Sequence, residues 1–361
     1  MARNIIKTNN AVIAVQNTAT AFSTSNLDLN LYAGVQSANF SLSYSRADLK
    51  QLGSQGLVTR DTIRQPDVTL NIDYLPEPKF GNEEFSHFRD SAVNVTSQYA
   101  SFFSNVGDRS TNFYFLITPD EDQDAISNLT FDETLLDLDG FTSLSFGNCY
   151  PTQYRISYAV GGLPKVSTSY ICSNTKFEPL TGTSMQSPAI NLESGNNNEV
   201  GLSLFQFDQG NTDPIIVNPA STGSSVNLQN LQVGGQNISG VHLVQSVSLA
   251  VDIPRTSNYG LGSDYAYGRE PQYPARGVFE VSSLVSGMES GAMSGVLKND
   301  SDYSFELVLE GSGKQMIYQI NDAKLNNYSY SSSLGEFFNF NASFSFEVTE
   351  ATGLQISGTN Y

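Results

Sequence analysis

"FFNFNASFSFEV" occupies residues 337–348. In it Phe338, Phe340, Ala342, Phe344, Phe346 and Val348 alternate with Asn339, Asn341, Ser343, Ser345 and Glu347. A period of two puts every apolar side chain on one face of an extended strand, whereas a helix would scatter them around its circumference. The same alternation runs through "VTLNIDYL" (68–75) and "VQSVSLAVDI" (244–253). Between "YRISYAV" (154–160) and "KVSTSYI" (165–171) stands Gly161-Gly162, a turn able to take positive φ at both positions. The fold class is therefore mainly β, built from antiparallel sheet. One short helix is expected at 83–94, where Phe85, Phe88 and Ala92 fall three and four residues apart.

The strand at 244 belongs to a longer echo. "VQSANFSLSYSRADLKQLGSQGLVTR" (35–60) and "VQSVSLAVDIPRTSNYGLGSDYAYGR" (244–269) agree without a gap at eight of 26 positions, and the agreements are ordered. Val-Gln-Ser opens both, Arg46 matches Arg255, Leu-Gly-Ser recurs at 52–54 and 261–263, and Arg60 matches Arg269. A second echo lays 146–172 over 320–346, pairing Tyr154 with Tyr328, Ser157 with Ser331, Gly161 with Gly335 and Ser169 with Ser343. Both echoes occur in the same order, which is the mark of an internal repeat. The expected division is 1–178 and 179–361, the second segment having lead-in loops and strands at 179–240 and a core at 241–350. The separation falls from 209 residues in the first echo to 174 in the second, so the first segment carries an insertion within 80–145. That insertion contains eight acids and no base between Asp120 and Asp139.

With 18 Lys and Arg against 36 Asp and Glu, the net charge is −18. Such a chain repels phosphate backbones, which argues against a nucleic-acid reader. No run of 18 apolar residues is present and "MARNIIKTNN" lacks a secretory apolar stretch, so neither a membrane segment nor export is expected. Cys149 and Cys172 are the only cysteines; assembly in a reducing cytoplasm predicts two free thiols, with Cys172 in the core.

Catalytic signatures are missing. The only histidines are His87 and His242, without metal-ligand spacing. "EGSGKQ" (310–315) ends like a phosphate loop, but has Val308 where the first Gly belongs and Gln315 in place of Ser or Thr, so it reads as a hairpin turn. Asp120, Asp122 and Asp124 begin like a calcium loop, yet Ala125 and Phe131 stand where Gly and Glu are required. No enzyme activity, cofactor or metal is expected.

The order "VQSVSL", Arg255, Leu-Gly-Ser, Arg269 and "QYP", with "FGNCYPTQYRISYAVGGLPKVSTSY" (146–170) in the other segment, resembles the major tail tube proteins of tailed bacteriophages. The likeness is to versions with a duplicated tube domain, and it covers most of 30–175 and 240–350. It implies two tandem β-sandwich or barrel domains, each with a short flanking helix, whose inner sheets close into a ring on oligomerisation. Stacked rings then form a hollow conduit for the genome. Two similar domains per chain allow three copies to make a pseudo-sixfold ring, which removes exposed sheet edges. The implied partners are other copies of the chain, other tail proteins and genomic DNA passing without specific binding, in a virion tail assembled in the host cytoplasm.

Strand parity then nominates Asn71, Asp73, Asn339, Asn341, Ser343, Ser345 and Glu347 as bore-lining residues, a choice that a one-residue register shift would reverse. The connections 46–60 and 255–269 are expected to reach the next ring. Arg46, Arg60, Arg255 and Arg269, at their ends, are candidates either to pin their own hairpins or to cross to a neighbouring subunit. A β-rich fibre, decoration protein or receptor-binding module is the alternative, sharing the polar composition and strand pattern; a β-rich hydrolase would require carboxylates converging in a cleft.

Overall fold

A computed structural model describes residues 10–17, 27–44, 46–50, 52–53, 55–56, 59–62, 67–76, 82–83, 100–101, 110–118, 130–131, 136–137, 139–180, 185–186, 188, 201–202, 205–208, 224–227, 232–233, 236–237, 242–259, 266–285, 302–311, 314–332, 338–349 and 353–358. The strands that shape it begin with β1 (Ala11–Asn17), β2 (Val35–Ser43), β3 (Arg46–Leu49), β4 (Thr59–Thr62) and β5 (Asp67–Tyr74). Next come β6 (Thr111–Ile117), β7 (Thr142–Ala159), β8 (Lys165–Cys172) and β9 (Asn174–Pro179). The series continues as β10 (His242–Asp252), β11 (Arg255–Tyr259), β12 (Ala266–Pro271) and β13 (Ala275–Val285). It ends with β14 (Tyr303–Gly311), β15 (Lys314–Ser331), β16 (Asn339–Val348) and β17 (Leu354–Gly358). The protein is mainly β. Apart from Glu83, the expected helix at 83–94 lies outside the described residues.

Eight strands form one antiparallel sheet in the order β2-β5-β8-β7-β10-β13-β16-β15. The first four precede residue 180 and the last four follow residue 240, so the pairing of β7 with β10 makes one sheet of both segments. Ala38 stands opposite Ile72, and 209 residues later Val247 stands opposite Val281. The irregularities fall alike: β2 is bulged at Val35/Ser37 and β10 at Val244/Ser246, while β7 is bulged at Pro151/Gln153 and β15 at Leu325/Asn327. A bulge re-aims a strand, so matched bulges give the two runs of four strands the same bend.

Strands β7 and β15 are 18 residues each, long enough to serve two sheets. The early part of β7 pairs β6 on one side and β9 on the other, with β1 beyond β6. The early part of β15 likewise pairs β14 and β17. These smaller sheets cover the apolar face of the large one. Phe113 meets Tyr170 at 4.8 Å between ring centroids, and Phe305 meets Phe344 at 4.7 Å. One hydrophobic cluster runs through both segments, from Val68, Leu70 and Ile72 to Phe344, Phe346 and Val348. Each such side chain contributes about 1.5–3 kcal/mol on burial.

Beneath the joint between segments lies a group of buried tyrosines. The Tyr154 and Tyr318 hydroxyls are 2.7 Å apart, and Tyr74 donates to Glu83 Oε1 at 2.8 Å. Burial pushes the hydroxyl pKa values of Tyr74, Tyr154 and Tyr318 well above the phenolic value, keeping them as donors. Asn82 fixes the adjoining backbone, accepting from Ala33 N at 2.9 Å and donating to Ala33 O at 2.7 Å.

Three local expectations change or sharpen. Only Gly161 takes positive φ, at 77°; Gly162 N instead donates to Ala159 O, closing the turn. Cys149 and Cys172 are joined as a disulfide rather than being two free thiols. Compartment had decided that expectation, but β7 and β8 are neighbours and direct both side chains into the same core. Lastly, Gly311 and Lys314 are cross-strand partners closing the β14–β15 hairpin, as the turn reading of "EGSGKQ" requires.

Candidate functional site

Opposite the core, the large sheet turns a polar face outward. Asn71, Asp73, Asn339, Asn341, Ser343, Ser345 and Glu347 all lie on it, none of them buried. One line across seven strands reads Asn39, Asn71, Ser169, Gln153, Asp252, Arg276 and Glu347, each opposite the next. The alternation of the strands decides this composition: residues pointing away from the apolar layer are mostly Ser, Asn, Thr, Gln or charged, with Ala159, Ile171, Ala250, Val278 and Leu284 as apolar exceptions. The face is concave where Ser157, Ser248, Glu280 and Asn341, together with Ala159 and Leu163, line an open groove of about 510 Å³.

Neighbouring strands tie these side chains together. Asp73 Oδ2 lies 2.8 Å from Lys165 Nζ and accepts from Ser37 Oγ at 2.9 Å, while Asp73 Oδ1 accepts from Ser167 Oγ at 2.5 Å. Partial burial alone would raise the Asp73 pKa, but the hydrogen bonds from Lys165, Ser167 and Ser37 and the lysine charge outweigh it and hold the carboxyl below its ordinary range. Gln153 Nε2 donates to Asp252 Oδ1 at 2.6 Å, and Ser248 Oγ to Glu280 Oε2 at 3.1 Å.

Charge on the face is close to balanced. Five acids, Asp67, Asp73, Asp252, Glu280 and Glu347, stand against four bases, Arg155, Lys165, Arg276 and Lys324, and Arg269 of the neighbouring hairpin approaches Asp67. The twofold acid excess of the whole chain is therefore not concentrated here. Net charge, summed over the sequence, gave no sign of this near balance. Alternation in "VQSVSLAVDI" and "KVSTSYI" could have nominated Ser246, Ser248, Ser167 and Ser169 alongside the seven residues that parity identified.

The four arginines occupy two hairpins at one end of the sheet. Strands β3 and β4 pair Arg46 with Thr62 and Arg60 with Asp48; β11 and β12 pair Arg255 with Pro271 and Arg269 with Ser257. Arg255 holds its own hairpin by donating from Nη1 to Arg269 O at 2.5 Å, and crosses to the first segment by donating from Nε to Pro151 O at 2.6 Å. Its guanidinium also lies 5.3 Å from the Tyr150 ring centroid. Arg269, nearly buried, approaches Asp67 with Nη2 3.7 Å from Oδ1. Arg46 is exposed, over Tyr44 of its own chain.

Among the described residues no three His, Cys, Asp or Glu side chains gather as a metal-binding group. His87 and most of 120–139, including Asp120, Asp122 and Asp124, lie outside the described residues. No described helix is long and apolar enough to cross a membrane. Compared with known proteins, the chain matches no family model and no curated protein.

Proposed function

We propose that the protein is a non-enzymatic tail tube subunit of a tailed bacteriophage, carrying two tandem tube domains, 1–178 and 179–361, and assembling three to a ring. Rings stack into a hollow conduit whose wall is the polar face of the eight-stranded sheet. The observation that carries this reading is the sheet itself: two like runs of four strands, with matched registers and bulges, joined head to tail under one continuous polar surface. A passage for DNA should neither capture phosphates nor repel them strongly, and a wall of Ser and Asn with acids and bases in near balance meets that requirement.

The polar face makes few demands on a ligand. Asp73 is held by Lys165, Asp252 by Gln153 and Glu280 by Ser248, and its groove is open. That favours a surface past which something slides over a receptor-binding module, whose site concentrates polar groups in an apolar recess. Negative-stain microscopy at high protein concentration, with solution mass measured in parallel, tests the proposal: hollow rings or tubes built from trimers support it. A compact monomer that retains binding to a glycan or surface receptor would replace it with the binding-module reading.

A further inference from the structure

The outer edges of the sheet are unlike its interior. No described strand pairs with the outer side of β2 or of residues 324–331 of β15. On the apolar face these edges expose a row of large side chains: Phe40 at 47%, Tyr44 at 54%, and Tyr328 and Tyr330 at 45% each, with Leu42 beside them. Their counterparts inside the chain are covered. Leu249, Val251 and Ile253, 209 residues after Phe40, Leu42 and Tyr44, are at most 1% exposed. Tyr154 and Ile156, 174 residues before Tyr328 and Tyr330, are equally buried. What covers them is the β7–β10 pairing, in which Tyr154 faces Val251 and Ile156 faces Leu249.

We infer that β15 of one copy pairs antiparallel with β2 of a second copy in the register of the internal β7–β10 junction, placing Tyr328 opposite Leu42, Ser329 opposite Ser41, Tyr330 opposite Phe40 and Ser331 opposite Asn39. This specifies the contact within the proposed ring and rests on that reading for its closure, though not for its register. Side-chain chemistry agrees with the pairing. Aromatic residues meet aromatic or aliphatic ones on the buried face, as favourable cross-strand pairs do, and Ser meets Ser or Asn on the polar face with no like charges opposed. The bulge at Leu325/Asn327 repeats the bulge at Pro151/Gln153, so β15 presents its edge with the bend that β7 uses to receive β10. The contact is heterologous, one edge meeting a different edge, and closes only if the rotation per copy completes a circle.

Cross-linking reads the register directly. The double variant Ser41→Cys/Ser329→Cys, assembled and treated with a short bifunctional thiol reagent, should form covalent trimers at least tenfold more efficiently than Ser41→Cys/Ser331→Cys, shifted by two residues on the same face. Equal linkage in both, or preference for the shifted pair, overturns the register. Trimeric hollow particles without in-register links would refute this contact and leave the tube reading standing. In-register links in open filaments or compact oligomers would keep the contact and refute the tube. A chain that stays monomeric at the highest attainable concentration overturns both. As a second check, Tyr330→Asp should abolish assembly while leaving the circular dichroism and melting of the isolated chain unchanged, because its ring is half exposed there; loss of folding, or normal assembly, contradicts the inference.

Discussion

Gly277 and Phe346 face one another across β13 and β16, and a Cβ on Gly277 would sit 2.2 Å from Phe346 Cζ. The corresponding pair in the first segment is Val68 and Cys172. The larger Val68 corresponds to Gly277 and the smaller Cys172 to Phe346, so the two opposite changes keep the volume between the layers. Gly277→Ala should lower stability by about 1–3 kcal/mol by overpacking. Combining Gly277→Val with Phe346→Cys, which recreates the first-segment pair, should cost less than the sum of the single changes; chemical denaturation of the four proteins measures that coupling. At the polar face, Asp73 predicts a pH effect. Its folded-state pKa is depressed, so its contribution is present above the unfolded carboxylate value and is lost as pH falls through the lower folded value. Asp73→Asn should flatten the loss of stability below about pH 4, where ordinary carboxylates begin to protonate.

The strands and hairpins carry predictions of their own. Arg255 reaches two carbonyls, one on each side of the junction between segments, whereas Arg46 stands exposed. Arg255→Ala should therefore speed amide exchange in β11 and β12 and destabilise the chain, while Arg46→Ala should leave the isolated chain as stable as before. Tyr154→Phe should cost about 1–3 kcal/mol by removing one partner from the buried hydroxyl pair with Tyr318, and the double change with Tyr318→Phe should recover part of it. The strands themselves were plain in the sequence, because Phe340, Phe344 and Phe346 can be buried together only on an extended chain. Alternation also put Asn71 and Asp73 on the same face as Asn339 and Glu347. What it could not reveal was adjacency: Lys165 beside Asp73, Cys149 beside Cys172, and Tyr154 beside Tyr318 all depend on which strands pair, and no local period encodes that. Arg255 was selected from the repeat, but its acceptor, a carbonyl at a bulge, carries no residue-type signal at all.

For the whole molecule, the decisive property is that one chain contains an example of its own proposed interface. The β7–β10 pairing buries on the inside what β2 and β15 leave exposed on the outside. Acids and bases nearly balance on the polar face, so converting Glu347 to Lys should permit assembly while slowing DNA release from assembled particles, measured as ejection kinetics. A cryo-electron microscopy reconstruction of the assembled protein at side-chain resolution is the most direct test of the account. It should show three chains closing a hollow ring, with Asn71, Ser169, Gln153, Asp252, Arg276 and Glu347 lining the bore. A ring in which that row faces outward, or a particle without a central channel, would contradict it.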